Sequence, residues 1–516
     1  MKMISKFAKS WIAGGVVLMA ALPLMSACSL GSKDDPNERR TLRIGLAYGS
    51  KDNEEWIRRD LTDMFELTHR NIDIEFVNGI DYSDMQFATE EDRRKYQQQD
   101  PIEKMKEIMG GDNPVDVVVT DLYSLGKLAE ENLLKPLDPL IKGDKLDMSD
   151  YLPNVMDAIR EQGNGQLYGL SPTFYSSALF YNKKLFEKAG VNPPTDGMTW
   201  DEVFNLARQL KSGSGKDAVF GFNMSSYGGG FNYYEMQYQY AQPMKLRMFD
   251  AAGEKMTVNT EQWRQLWNKP FGLYKDHVMP HPEDMQNEDQ QNGRYNPYQN
   301  RPFFKGRVAM EISSYYTVND LITYNKNVDK MKGAERLDWD VVTMPSHPGG
   351  DGTGSISLGN VLAINAKGHN PDDAWTFIKH YNSEEVAKFK ARSNSELSVR
   401  KKYVQPKEGE TYHVEAFTST KPTTNAQSDA DMKLLRERPN LNLVSELGQI
   451  YIQQAADGKI TLDEALKQWE AKGNELLQKI KLNPTGDLYS EIEKLRQETM
   501  GGPSSFGSGT AIAVPR

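Results

Sequence analysis

The chain has 516 residues, of which 38% are hydrophobic, 10% aromatic and 26% charged, enough for two or more folding units and too apolar for a disordered chain. A mean hydropathy of -0.66 excludes a polytopic membrane protein. Sixty-two Lys and Arg against 72 Asp and Glu leave a net charge of -10 with no long basic run, which argues against nucleic-acid binding. The single cysteine excludes an intrachain disulfide and a zinc site built on paired cysteines.

The chain begins with a positive leader, Lys2, Lys6 and Lys9, followed by an apolar run from Trp11 to Met25. The run is too short to span a membrane and reads as a secretory signal. It closes on Leu24-Met25-Ser26-Ala27-Cys28, small residues directly before the only cysteine. Losing residues 1–27 removes three lysines and no acids, so the net charge moves from -10 to -13. Residues 28–40 are polar and turn-rich, a short tether.

Thr41 to Tyr48 alternates Leu42, Ile44 and Leu46, a strand signal. A helix over Glu54–Thr68 and a strand near Asp73–Val77 follow. Gly79–Asp100 is very polar and is expected as a surface helix or insertion. Pro101 opens a helix that Gly110-Gly111 closes. Val115 to Thr120 reads as a strand buried on both faces. Strands alternating with helices imply parallel βαβ units.

A second α/β region starts after Tyr168. Thr199-Trp200-Asp201-Glu202 and Thr461-Leu462-Asp463-Glu464 have capping-box spacing. Asn370 is expected to cap a helix with Asp372 and Asp373 in its first turn. Trp339–Met344 and Val361–Ile364 read as strands around a loop rich in Gly and Ser, His347–Gly359. Asn287–Arg301 is expected as an inserted loop and 499–516 as a loose tail.

Two resemblances emerge. The segment ending at Cys28 resembles a bacterial lipoprotein signal, in which the cysteine is lipidated and becomes the mature N-terminus; Met25 stands where leucine is usual. Several acyl chains at about 0.8 kcal/mol per buried methylene would anchor the chain stably. The rest resembles the family 1 extracellular solute-binding proteins of ABC importers, the family that includes the maltose-binding protein. The motifs are Asp116-Val117-Val118-Val119-Thr120-Asp121 with Leu134-Lys135-Pro136-Leu137-Asp138, then Leu179-Phe180-Tyr181-Asn182-Lys183-Lys184-Leu185-Phe186 and Ala189-Gly190-Val191-Asn192-Pro193-Pro194. Phe304-Lys305-Gly306-Arg307-Val308-Ala309-Met310 and Asp457-Gly458-Lys459-Ile460-Thr461-Leu462 continue the match.

The resemblance implies an α/β fold of two lobes, each a mostly parallel sheet flanked by helices, joined by a hinge. It places crossings near Thr173–Ser177, Ser313–Tyr316 and Asn382–Glu385. Lobe one would be 41–173 plus 314–382, and lobe two 177–312 plus 385–498. It further implies an extracytoplasmic, lipid-anchored, monomeric receptor that hands a small solute, expected to be a sugar, to ABC permease subunits.

Ligands of open parallel sheets bind beyond the carboxyl ends of the strands. Sugars present hydroxyls to Asp, Asn and Glu, and CH faces to aromatic rings. Tyr48 and Asp121 end two first-lobe strands, although Asp121 could equally cap the next helix. Tyr175 and Ser176 lie on the first crossing, where Tyr175 could instead pack the hinge. Ser225 to Tyr240 holds six aromatics beside three glycines; Tyr227, Phe231, Asn232 and Tyr233 are its contact candidates, with helix packing the competing role. Glu311, Ser314 and Tyr315 follow at the second crossing, and Ser355, Ser357 and Asn360 precede the Val361 strand. Loop or turn roles compete for each.

Catalytic signals are weak. Pro280 keeps His277 and His281 off one helical face, and neither GxSxG nor HExxH occurs. No cofactor or metal is expected. A receptor for a peptide or another non-sugar solute, and a tethered glycan-processing enzyme, remain as alternatives.

Overall fold

The computed structural model describes residues 38–224, 230–285, 297–298, 300–331, 333–349, 353–407, 409–422 and 429–500. The leader, Cys28, Tyr227, most of the 287–301 loop and the tail from 501 lie outside the described residues. The described strands are β1 Arg40–Gly49, β2 Ile72–Asp81, β3 Val117–Thr120, β4 Gly169–Leu170, β5 Thr173–Asn182 and β6 Phe220–Asn223. Then come β7 Val308–Ser314, β8 Trp339–Val342, β9 Thr353–Ser357, β10 Val361–Ile364, β11 Leu397–Ser398 and β12 Lys421–Pro422.

They form two sheets. The first runs β2-β1-β3-β10-β4, with β1 parallel to β2 and β3, and β10 antiparallel to β3 and β4. Leu42, Ile44 and Leu46 are buried as their alternation requires, and Val117, Val118 and Val119 are covered on both faces. The second sheet runs β12-β9-β5-β7-β6, with β8 and β11 also pairing β5. β6 and β7 are parallel, while β5 is antiparallel to β7, β8, β9 and β11. β5 is therefore the spine of the second sheet, its first half paired with β9 and β11 and its second half with β7 and β8.

Thr199 accepts from Glu202 N at 3.3 Å while Glu202 accepts from Thr199 N at 2.7 Å, the reciprocal capping box. Asn370 does not cap its helix. Its amide Nδ2 donates instead to Thr41 O and Asp116 Oδ2, which ties the helix start to β1 and β3. The helix expected over 54–68 is two, Glu54–Leu61 and Asp63–Thr68, parted at Thr62, which leaves helical φ at -125°. The loop expected over 347–359 contains β9, whose glycines hide a strand between two partners, β5 and β12.

The chain also stays with the first lobe longer than the expected switch at Glu385. Lys390 Nζ donates to Asp60 on the first-lobe helix. Val386, Leu397 and Val399 belong to the hydrophobic core that contains β1 and β3. Arg400 donates to Asn382 O and Tyr151 Oη at 2.9 and 3.2 Å. The departure follows β11, where Leu397 and Ser398 pair with Phe174 and Thr173. Apolar burial holds the segment, since Val386 and Leu397 would otherwise face water.

Candidate ligand-binding site

The first-lobe edge is built from three strand ends. Tyr48, in the last turn of β1, stacks on Tyr82 just past β2, with centroids 5.9 Å apart and planes 7° off parallel. Tyr82 meets Tyr96 at 5.7 Å. Burial, with Tyr82, Asp121 and Asp100 close by, pushes the Tyr48 phenol up to about 12, so it stays neutral and can donate. Asp121 is exposed beyond β3 and does cap the helix Leu122–Glu130: Ser124 N donates to Oδ1 at 2.9 Å and Ser124 Oγ to Oδ2 at 3.0 Å. Each carboxylate oxygen has a second lone pair, so capping leaves acceptor capacity on a surface-facing group. Tyr48 and Asp121 are thus brought together.

The first expected crossing lies beside the end of β7, but 313–316 is not a passage between sheets: the chain stays with the second sheet through β8 and β9 and enters the first only at β10. Ser177 pairs with Ser314, and Tyr315 N donates to Ser176 O at 2.9 Å. Tyr175 pairs with Ser357 on β9. Residues two apart share a sheet face, and cross-strand partners share it too. Half-buried Tyr175 and Ser177 with exposed Ser314 and Ser357 therefore form one polar floor. Burial, together with a hydrogen bond to Glu396, raises the Tyr175 phenol well above its usual range. Half-buried Asn360 follows the same strand.

Three other candidates, Ser176, Tyr315 and Ser355, are buried rather than facing the floor. Ser176 is buried and donates to Phe417 O at 2.7 Å. Tyr315 is buried with its ring 5.2 Å from Phe417, edge-on. Ser355 is buried and bonded to Thr420. Strand alternation turns Ser176 inward, the helical backbone at Tyr315 turns its ring in, and Thr420 covers Ser355 although it shares a face with Ser357.

The second-lobe aromatics need the same correction. Phe231 is buried against Trp267, Phe271 and Tyr274. Tyr233 is 1% exposed, stacked on Trp267 at 5.6 Å and edge-on to Trp469 at 6.4 Å. Both complete the second hydrophobic core. Asn232 caps the following turn, accepting from Glu235 N at 3.2 Å. The bulk of these rings is worth more in the core than against a solvated sugar.

Glu311 is fully buried on β7 opposite Asn223. Asn223 Nδ2 reaches its Oε2 at 3.4 Å, and its Oε1 has no hydrogen-bond partner among the described residues. Burial drives its carboxyl up to about 8 against the opposing pull of Arg301, so it is a neutral acid at pH 7. It is a core acid rather than a ligand contact. His277 and His281, kept off one helical face by Pro280, meet ring on ring at 3.8 Å. Among the described residues no group of three or more His, Cys, Asp or Glu could hold a metal ion, and no helix is long and apolar enough to cross a membrane.

Four site residues escape sequence reasoning. Tyr82 and Tyr96 sit in the polar insertion; placing the end of β2 at Asp81 instead of Val77 would have pointed to Tyr82. Ser177 lies in the expected crossing but only strand alternation selects it. Arg436, from a late helix, pairs with Asp100 at 2.7 Å beside Tyr48, and nothing local in the sequence announces it.

Residues 54–388 match the family model described as bacterial extracellular solute-binding protein. A Brucella abortus (strain 2308) protein named simply as a binding protein is 24% identical over 387 residues, 72% of this chain and 82% of its own length. The sn-glycerol-3-phosphate-binding periplasmic protein of Rhizobium meliloti (strain 1021) is 32% identical over 101 residues, 19% of this chain and 23% of its own. In fold, the sugar-binding protein MalE of Xanthomonas citri aligns with a TM-score of 0.52 and 20% identity, covering 86% of this chain and 98% of that one. An extracellular solute-binding protein of family 1 from Alicyclobacillus acidocaldarius gives 0.51 and 19%, over 86% and 99%.

Proposed function

We propose, for a chain that belongs to the bacterial extracellular solute-binding protein family, that it captures a carbohydrate, an oligosaccharide rather than a single sugar, between its two lobes. The observation that carries this is the Tyr48–Tyr82–Tyr96 ring series beside exposed Asp121. Successive rings offer CH faces more than one place to stack, and the carboxylate accepts from hydroxyls. The polar floor of Tyr175, Ser177, Ser314, Ser357 and Asn360 would receive the opposite edge. Closure would hinge where the start of β5 and the end of β9 run together, at Thr173–Ser177 and about 355–358, where the chain passes between the two sheets. Lobe one then comprises 41–173 and about 358–396, and lobe two 177–357 and 429–498, with the segment 397–422 returning across the hinge. Cys28 carries the lipid that anchors the monomer to the outer face of the cell membrane, and the closed form delivers its solute to an ABC permease. Nothing in this cycle transforms the solute.

Calorimetry of the full chain against neutral oligosaccharides, oligopeptides and phosphorylated polyols tests the reading. Binding of an oligosaccharide that Tyr48→Ala weakens supports it. Binding of a peptide or polyol phosphate alone overturns it. A tethered glycan-processing enzyme would need two carboxylates about 5–9.5 Å apart on the sugar, and chromatography of the incubated oligosaccharide separates that case by its products.

A further inference from the structure

The helix Asp429–Glu437 touches both lobes. Its second-lobe attachment is apolar and ionic. Leu434 and Leu435 pack on the second core, Arg247 NH1 donates to Asp431 Oδ2 at 3.1 Å, and Arg438 NH1 donates to Ala252 O at 3.1 Å. It leads through Pro439–Asn442 into the helix Leu443–Ala456, whose Val444, Leu447 and Ile450 are core residues. Its first-lobe grip includes ion pairs at both ends. Asp429 accepts from Tyr123 Oη and, at 2.8 Å, from Lys127 Nζ. Seven residues further along, Arg436 pairs with Asp100 at 2.7 Å. Tyr123 and Lys127 lie on the helix that Asp121 caps, and Asp100 caps the helix Pro101–Gly110.

We infer that Asp429–Glu437 is an ionic strap, anchored in the second lobe and gripping the first, that closes the lobes on each other before any solute arrives. The asymmetry is the argument. Apolar contacts hold the helix to one lobe permanently, while two ion pairs at its opposite ends can part without exposing a core. Tyr123, Lys127 and Asp100 border Tyr48 and Asp121, so parting them opens the site itself. Surface pairs of this kind are individually weak and strongly screened, which suits a catch that must release. The strap concerns closure and not the nature of the solute, so it stands or falls apart from the carbohydrate reading.

A zero-length carbodiimide couples an amine to a carboxylate only where they touch, so the solute-free full chain tests the strap directly. At about 0.01 M salt, where screening reaches about 30 Å, a Lys127–Asp429 cross-link should appear by mass spectrometry; at about 1 M, where it reaches about 3 Å, the link should fade. Arg436→Gln removes the distant pair and leaves both linked residues intact, and should lower the yield by up to about fivefold. Arg247→Gln loosens the second-lobe end and should lower it too, while circular dichroism reports that both variants are folded. An absent cross-link in the parent, or a yield indifferent to salt and to Arg436→Gln, overturns the strap.

Discussion

At the scale of single residues, Asp121 shows how one carboxylate serves two ends. Two of its lone pairs satisfy Ser124, and the remainder face the edge where Tyr48 lies. Asparagine caps a helix as well as aspartate, so Asp121→Asn should leave the denaturation midpoint nearly unchanged. It removes a charge-assisted bond worth about 1.5–3 kcal/mol; at 1.4 kcal/mol per decade, calorimetry should find sugar affinity about tenfold to a hundredfold lower. Unchanged affinity would leave Asp121 a cap alone. Glu311 behaves oppositely. Its folded value, about 8, lies above the usual glutamate value of 4.5, so the folded chain holds a proton that the unfolded chain releases. Its contribution is complete below about pH 4.5 and is lost as pH rises to about 8, at about 1.4 kcal/mol per pH unit. Denaturant titrations should show Glu311→Gln removing much of this decline and gaining on the parent most at about pH 8.

Elements decide which predicted residues can reach a ligand. On β5 the chain alternates, so Tyr175 and Ser177 face the floor while Ser176 turns to Phe417. Among the aromatics after β6, burial wins because Trp267 and Trp469 offer dry, flat partners to Tyr233. Tyr233→Ala should therefore cost about 3–5 kcal/mol of stability and leave solute affinity within about twofold at temperatures where the variant is folded, because the ring faces the core. Calorimetry and thermal melting together check this, and a large affinity loss with little destabilisation would return Tyr233 to the site. Capping behaves as the spacing requires at Thr199, where both reciprocal bonds form. It fails at Asn370, because Thr41 O and Asp116 hold its donating Nδ2 toward β1 and β3, which turns the side chain away from the helix start.

Across the whole molecule, β5 meets β9 and β11 within its first half and β7 and β8 mainly beyond it, and bending in that first half would move one sheet against the other. Small-angle scattering with a saturating oligosaccharide should give a smaller radius of gyration than at high salt without it; an unchanged radius would count against hinge closure. Replacing Cys28 with Ser should abolish fatty-acid labelling and release the protein from the membrane. Retained label would place the lipid elsewhere. Much of this architecture is legible along the chain, because its causes are local. The β1 alternation, the fully apolar β3, the Pro-in and Gly-out helix at 101–110 and the 199–202 box each state their own structure within a few residues. The position of Asp121 beyond β3 and of Tyr48 at the end of β1 follows from the same strand ends. What only the tertiary structure decided are contacts between distant segments. Which face of β5 looks outward, whether Tyr233 meets a sugar or Trp267, how long the chain stays with the first lobe, and that Arg436 reaches Asp100 all depend on partners tens to hundreds of residues away. Local sequence sets propensity and periodicity; competition for burial and for hydrogen-bond partners is settled only when the whole chain is packed.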